Sequence, residues 1–285
     1  MDHEAEYNAR AAIPEHPAIF DDWAGRSAAA RAKCADCLDV RYGDGPRETL
    51  DFFPAMTPDA PIVLYLHGGY WQSLDKSMFS FLGEALVHAG LSAAIVNTPQ
   101  CPDARLPDIV AAARRAAGRV WTAAGQRLRG DRDRLFVAGH SAGAHLAASL
   151  FATDWPAFDP ALPADLLKGG LGISGVYDLR PLVPTSINKA LGLDEATARA
   201  LSPMFAEPRT AGPLVLAVGG LESAEFHRQT NDFATAWAAK GVQVATMDQT
   251  RRNHLTILED LADPHGPLIE VLTELASGRV SAART

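Results

Sequence analysis

The feature that most constrains this chain is a serine set between glycines where a strand-like run turns into a helix-like one. Residues 134–140, RLFVAGH, read as a short buried strand, and 144–152, AHLAASLFA, as a helix small and apolar enough to lie close against a sheet. Between them stands Gly139-His140-Ser141-Ala142-Gly143, a GxSxG pattern. A serine on so sharp a strand-to-helix turn projects its oxygen from the end of the sheet, and glycines on both sides let neighbouring backbone approach without Cβ clashes. The helix N-terminus that follows favours negative charge developing beside it. The pattern alone arises by chance in an alanine- and glycine-rich chain, so the strand before it and the helix after it carry the reading of Ser141 as a nucleophile.

The rest of the chain supplies the sheet such a turn needs. LDVRY and TLDFF, within residues 38–54, flank a turn-rich GDGP and predict an edge hairpin. PIVLYLHGG at 61–69 and LSAAIVNT at 91–98 read as buried parallel strands, with a helix predicted over 75–89 between them. A long amphipathic helix is predicted over 107–128, with proline at its start. Further strands are expected at 169–175, 213–220 and 242–247, with a helix between the last two. This βαβα alternation implies a mostly parallel central sheet with helices on both faces. A chain of 285 residues suits a single large domain of that kind. Residues 1–33 form an N-terminal helical segment, with EHPAIFDDWAGRSAAARAK packed across the domain. Residues 174–204 are irregular and proline-rich apart from EATARAL, and are expected to cap the site, because insertions beyond strand ends build pockets in such folds.

A net charge of -8 and a pI near 5.6 argue against nucleic acid or an anionic membrane as partner, both of which need clustered positive charge. The expected partner is a small-molecule substrate, with assembly of like chains left open. Three cysteines do not make a disulfide framework, and Cys34 and Cys37 lack the second ligand pair or strand-to-helix setting of a zinc or redox CxxC. The opening MDHEAEYNAR has no apolar signal core and no run approaches a membrane span, so a cytoplasmic location is expected.

The chemistry expected of Ser141 calls for an oxyanion site, a base and an acid. His67-Gly68-Gly69-Tyr70-Trp71 ends the strand at 61–69, and such a glycine turn exposes backbone N–H groups. With the N–H of Ala142, those around Gly68, Gly69 and Tyr70 are expected to hold the oxyanion, a contribution of about 3 kcal/mol per donor. His67 itself reads as structural, because backbone takes that role and the base must follow the acid in chain order. That order selects His254 in RRNHLTIL as base over His140, His145 and His227, with His265 its rival. No histidine spacing matches a zinc signature, so neither metal nor cofactor is expected. The acid belongs in GGLESAEFHRQT, where Glu222 comes first after the strand; Glu225 and Asp178 are the alternatives, each also readable as a helix-end charge. Tyr70 and Trp71 offer aromatic surface to a substrate, or simply pack the loop.

With these residues in place, the chain resembles the kynurenine formamidase (arylformamidase) group of α/β-hydrolases, near the hormone-sensitive-lipase-like esterases. HGGYW at 67–71, GHSAGAHL at 139–146, SGVYDLRPL at 174–182, SAEFHRQ at 223–229 and NHLTIL at 253–258 carry the likeness, with YNAR and HPAIFDDW near the N-terminus. The likeness spans nearly the whole chain. One residue departs from the pattern: Glu222 stands where the group usually has aspartate. The resemblance implies an α/β-hydrolase fold and hydrolysis of N-formyl-L-kynurenine to L-kynurenine and formate through Ser141, His254 and Glu222. A carboxylesterase acting on short acyl esters is the alternative with the same residues. A hydrolase-fold binding protein without catalysis is the alternative of another class.

Overall fold

The computed structural model describes residues 2–34 and 37–279. The predicted hairpin is present as β1 (Val40–Arg41) and β2 (Thr49–Phe53), paired antiparallel with Val40 opposite Leu50. The parallel body follows as β3 (Pro61–Leu66), β4 (Ser92–Val96), β5 (Asp131–His140), β6 (Gly170–Ile173), β7 (Leu214–Gly219) and β8 (Val244–Gln249). They form one eight-stranded sheet in the order β1-β2-β4-β3-β5-β6-β7-β8, antiparallel only where β2 meets β1 and β4.

Burial on both faces explains why these strands read as continuous apolar runs. Every residue of β3 is buried; Ile62, Leu64 and Leu66 enter one core, while Val63 and Tyr65 enter the other. The first core is completed by α5 (Leu106–Ala123), α6 (Ala142–Phe151) and α10 (Ala224–Ala238). The second is covered by α3 (His16–Lys33), α4 (Phe81–His88) and α12 (Pro267–Ala276). Shorter helices lie between: α1 (His3–Tyr7) and α2 (Ala9–Ala12) before α3, α7 (Trp155–Phe158) after α6, α8 (Asn188–Leu191) and α9 (Glu195–Leu201) before β7, and α11 (Glu259–Ala262) before α12.

Two predicted helices are shorter than expected. Over 75–89 a 3-10 turn (Lys76–Met78) precedes α4. Its cause is a buried charge: Asp51 of β2 is fully buried, and a carboxylate there needs cationic and hydroxyl partners. Lys76, Arg31 and Ser80 supply them, so the turn winds tightly enough to point Lys76 inward. Helix α5 stops at Ala123, five residues short of the expected end. Gly125 adopts φ +73°, and its N–H donates to the carbonyl of Leu128 (2.9 Å), folding 124–128 into a turn. The last strand lies slightly later than predicted, and α1, α2 and α12 were not expected as separate elements.

The strand order places the site. Chain connections leave β3 toward β4 on one side and reach β5 on the other, so a crevice opens beyond the carboxyl ends of β3 and β5. His67-Gly68-Gly69 follows β3 there, and Ser141 follows β5.

Candidate active site

Ser141 occupies φ 56° and ψ -120°, a conformation rarely adopted by a side-chain-bearing residue and costing on the order of 1–3 kcal/mol. Neighbouring backbone holds it there: the N–H of Ser141 donates to Ile173 of β6 (2.8 Å), and its carbonyl accepts from Ala144 of α6 (3.0 Å). The close approach requires Gly143, where a Cβ would lie 1.9 Å from the carbonyl oxygen of Leu66. These contacts are why the strand-turn-helix pattern needs glycine beside the serine.

The loop after β3 packs against this turn. A methyl placed on Gly68 would sit 3.1 Å from both Ser141 Cβ and His140 Nδ1. Gly69, Tyr70 and Trp71 all take positive φ, and the carbonyl of Gly69 accepts from the N–H groups of Gln72 and Ser73 (3.0 Å each). The N–H groups of Gly68, Gly69, Tyr70 and Ala142 have no protein acceptor among the described residues. Unused donors beside a serine oxygen are what a developing oxyanion requires.

His254 lies beyond β8, buried, its ring packed on Phe226 (4.3 Å between centroids) and on His140 (4.7 Å). Its Nδ1–H donates to Glu222 Oε2 at 2.6 Å, which leaves the Nε2 lone pair free to take a proton. The Glu222 side chain is fully buried, and its other oxygen accepts from the N–H of Gly219 (2.7 Å) and from Ser174 Oγ. Ser174 sits after β6 at φ 50°. No sequence motif singles it out as a partner of Glu222, although it opens the SGVYD segment.

The two alternative acids are engaged elsewhere. Glu225, in the first turn of α10, accepts from Tyr7 Oη (2.6 Å) and from both sides of the Arg228 guanidinium (2.7 Å each). Arg228 holds it below the ordinary carboxylate range. Asp178 is clamped by Arg180, at 3.0 and 2.8 Å, and accepts the Arg180 N–H. Three other histidines are likewise occupied. His67 stacks on Phe79 (5.3 Å, 6°), and its Nδ1–H donates to Gly68 O (2.7 Å). His140 donates from Nε2–H to the carbonyl of His254 (2.8 Å), positioning the segment that carries it. Burial, and then the neighbouring His254, push His140 well below the ordinary histidine range. His145 donates to Leu201 O (2.9 Å), and His265 stands apart on an exposed turn.

Ser141, His254, Gly68, Gly69 and Tyr70 line one cavity of about 340 Å³, within the usual range for a small-molecule site. Phe20, Trp23 and Phe79 give it an aromatic wall. Trp71 is not part of that wall: its ring packs edge-on against His145 (4.9 Å), in the core beneath the loop. Tyr70 does face the cavity, and its hydroxyl donates to the carbonyl of Tyr7 (2.6 Å). Of the expected cap over 174–204, only Ser186 and Ile187 reach the cavity. Its outer wall comes from the N-terminal segment instead, through Glu4, Tyr7 and Arg10. Tyr7 anchors that segment: it is fully buried, donating to Glu225 and accepting from Gln229 Nε2 (2.7 Å).

Comparison with known proteins agrees with this architecture. Residues 63–182 match a family model described as the alpha/beta hydrolase fold. A kynurenine formamidase of Salmo salar is 34% identical over 254 residues, covering 86% of this chain and 84% of that protein. One from Danio rerio is 32% identical over 253 residues, with 86% and 84% covered. A crystal structure from Silicibacter sp. tm1040, described as a candidate thioesterase, superposes with TM-score 0.83 at 29% identity, covering 96% of this chain and 99% of that one. Identity at this level along most of both chains, together with the strand-turn-helix serine and the strand order, establishes that this chain belongs to the kynurenine formamidase family of α/β-hydrolases.

Proposed function

We propose that this hydrolase cleaves an aryl formamide, N-formyl-L-kynurenine, with Ser141 as nucleophile, His254 as base and Glu222 as the acid. The observation that carries the reading is the 2.6 Å bond from His254 Nδ1–H to the buried Glu222, at a cavity that Ser141 and His254 both line. Similarity to the fish kynurenine formamidases supplies the substrate.

Ser141 Oγ attacks the formyl carbon as His254 Nε2 takes its proton, and Glu222 stabilises the imidazolium that forms. The formyl oxygen becomes an oxyanion facing the N–H groups of the 68–70 turn and of Ala142. Collapse breaks the carbon–nitrogen bond, and His254 returns the proton to the aniline nitrogen, releasing L-kynurenine. Water then attacks the formyl-serine with His254 again as base, and formate leaves with Ser141 restored. The aromatic wall suits an aryl leaving group.

Ester or thioester hydrolysis is the competing reading, favoured by the structural likeness to the candidate thioesterase. A panel of N-formyl-L-kynurenine, formanilide, p-nitrophenyl acetate and acetyl-CoA decides between them. The formamidase reading requires the highest kcat/KM on N-formyl-L-kynurenine; turnover of esters with none of either formamide overturns it.

A further inference from the structure

Glu4 is the only acidic residue, and Arg10 the only lysine or arginine, among the described residues lining the cavity. Both stand on the outer, N-terminal wall. Arg10 forms no ion pair among the described residues, in a chain with net charge -8. Its one hydrogen bond runs from Nη2 to Ser73 Oγ (3.2 Å), and its guanidinium lies 5.6 Å from the centre of the Phe20 ring. Ser73 Oγ in turn donates to the carbonyl of Gly69, so the cation is tethered to the turn beside Ser141. A guanidinium has five N–H donors in a planar fork, and most of Arg10's remain unused.

Glu4 is fixed differently. Its two oxygens accept from Ser186 N–H (2.6 Å) and Ser186 Oγ (2.5 Å), which keep it ionised. A carboxylate has about four acceptor sites, so two remain for a further donor. The cavity that Ser141 and the aromatic side chains line therefore also presents a cation and an anion, both from its N-terminal wall.

We propose that Arg10 and Glu4 read the α-amino acid head of the substrate, Arg10 taking its carboxylate and Glu4 its ammonium. The pairing rests on the cavity being the substrate site, and it makes a free zwitterionic amino acid carrying an aryl ketone the substrate class. Neutral aryl formamides and simple esters lack both charges and bind more weakly.

Titration calorimetry with three non-hydrolysable ligands tests this without depending on turnover. L-Kynurenine carries both charges, 4-(2-aminophenyl)-4-oxobutanoate only the carboxylate, and 2-aminoacetophenone neither. The wild type is expected to bind L-kynurenine at least tenfold tighter than 2-aminoacetophenone, in line with charge-assisted bonds at a partly exposed site. Arg10→Ala should weaken the two carboxylates about tenfold and spare 2-aminoacetophenone, with Arg10→Lys recovering part of the loss. Glu4→Gln should weaken L-kynurenine alone. Equal affinity of the wild type for all three ligands, no binding of any, or a uniform loss in Arg10→Ala overturns the assignment. Failure of the formamidase reading is seen separately, as absence of formate release from N-formyl-L-kynurenine.

Discussion

Replacing Glu222 with glutamine tests the acid at the level of single hydrogen bonds. One carboxylate oxygen accepts from His254 Nδ1–H, and the other from Gly219 N–H and Ser174 Oγ. Glutamine offers one acceptor oxygen and one NH₂, and the backbone N–H of Gly219 cannot turn away. If the amide oxygen faces Gly219, the NH₂ faces His254, whose Nδ1 must then accept and whose proton moves to Nε2. That tautomer cannot take a proton from Ser141. The opposite orientation preserves the tautomer but sets NH₂ against Gly219 N–H, leaving a buried donor unpaired at about 1–3 kcal/mol. The inactive orientation is therefore favoured by roughly 5- to 150-fold. Loss of charge beside the imidazolium adds to this, for a fall in kcat of about 10⁴, as in a comparable triad. The assay is kcat on N-formyl-L-kynurenine and p-nitrophenyl acetate, well below the melting temperature, alongside Glu225→Gln and Asp178→Asn. Glu222→Gln activity within tenfold of wild type would rule out Glu222 as the acid, as would a crippled Asp178→Asn beside an active Glu222→Gln.

Other expectations follow from the packing. Gly143→Ala places a methyl group 1.9 Å from Leu66 O and should abolish activity with a large fall in thermal midpoint; a normally stable, active variant would contradict the geometry of the turn. Tyr7→Phe removes a buried hydroxyl bonded to Glu225 and Gln229, and should cost about 1–3 kcal/mol in denaturant unfolding while raising KM by loosening the outer wall. Burial lowers His67, His140 and His145, the last to about 4, so the unfolded chain binds protons that the folded one does not. Stability is then full above about pH 6.5 and falls on acidification toward pH 4, by up to about 1.4 kcal/mol per pH unit per histidine. His145→Gln should flatten that decline in melts between pH 6.5 and 4, and an unchanged slope would show that His145 does not contribute.

Much of this was legible because local signals agreed with the tertiary structure. Continuous apolar runs gave the parallel strands, and glycines packed against backbone marked the serine turn. Chain order pointed to Glu222 and His254, which the structure brings within hydrogen-bonding distance. What escaped the sequence depended on distant partners. Lys76 reads as an ordinary helix residue until buried Asp51 pulls it inward. Ser174 has no motif of its own, and its bond to Glu222 spans 48 positions. The N-terminal segment reads as helical, but where its five-residue α1 docks does not show in it: α1 is held by Ser186 and Glu225 roughly two hundred positions away. Trp71 follows a cavity-lining tyrosine, but consecutive positive-φ residues turn it into the core, a direction that residue type does not encode.

Labelling with a fluorophosphonate, followed by peptide mapping, probes whether Ser141 is the nucleophile. One adduct per chain is expected, on Ser141, with hydrolysis lost in proportion to labelling and no adduct on folded Ser141→Ala. An adduct confined to another residue, or a folded Ser141→Ala variant that hydrolyses substrate at the wild-type rate, would contradict it.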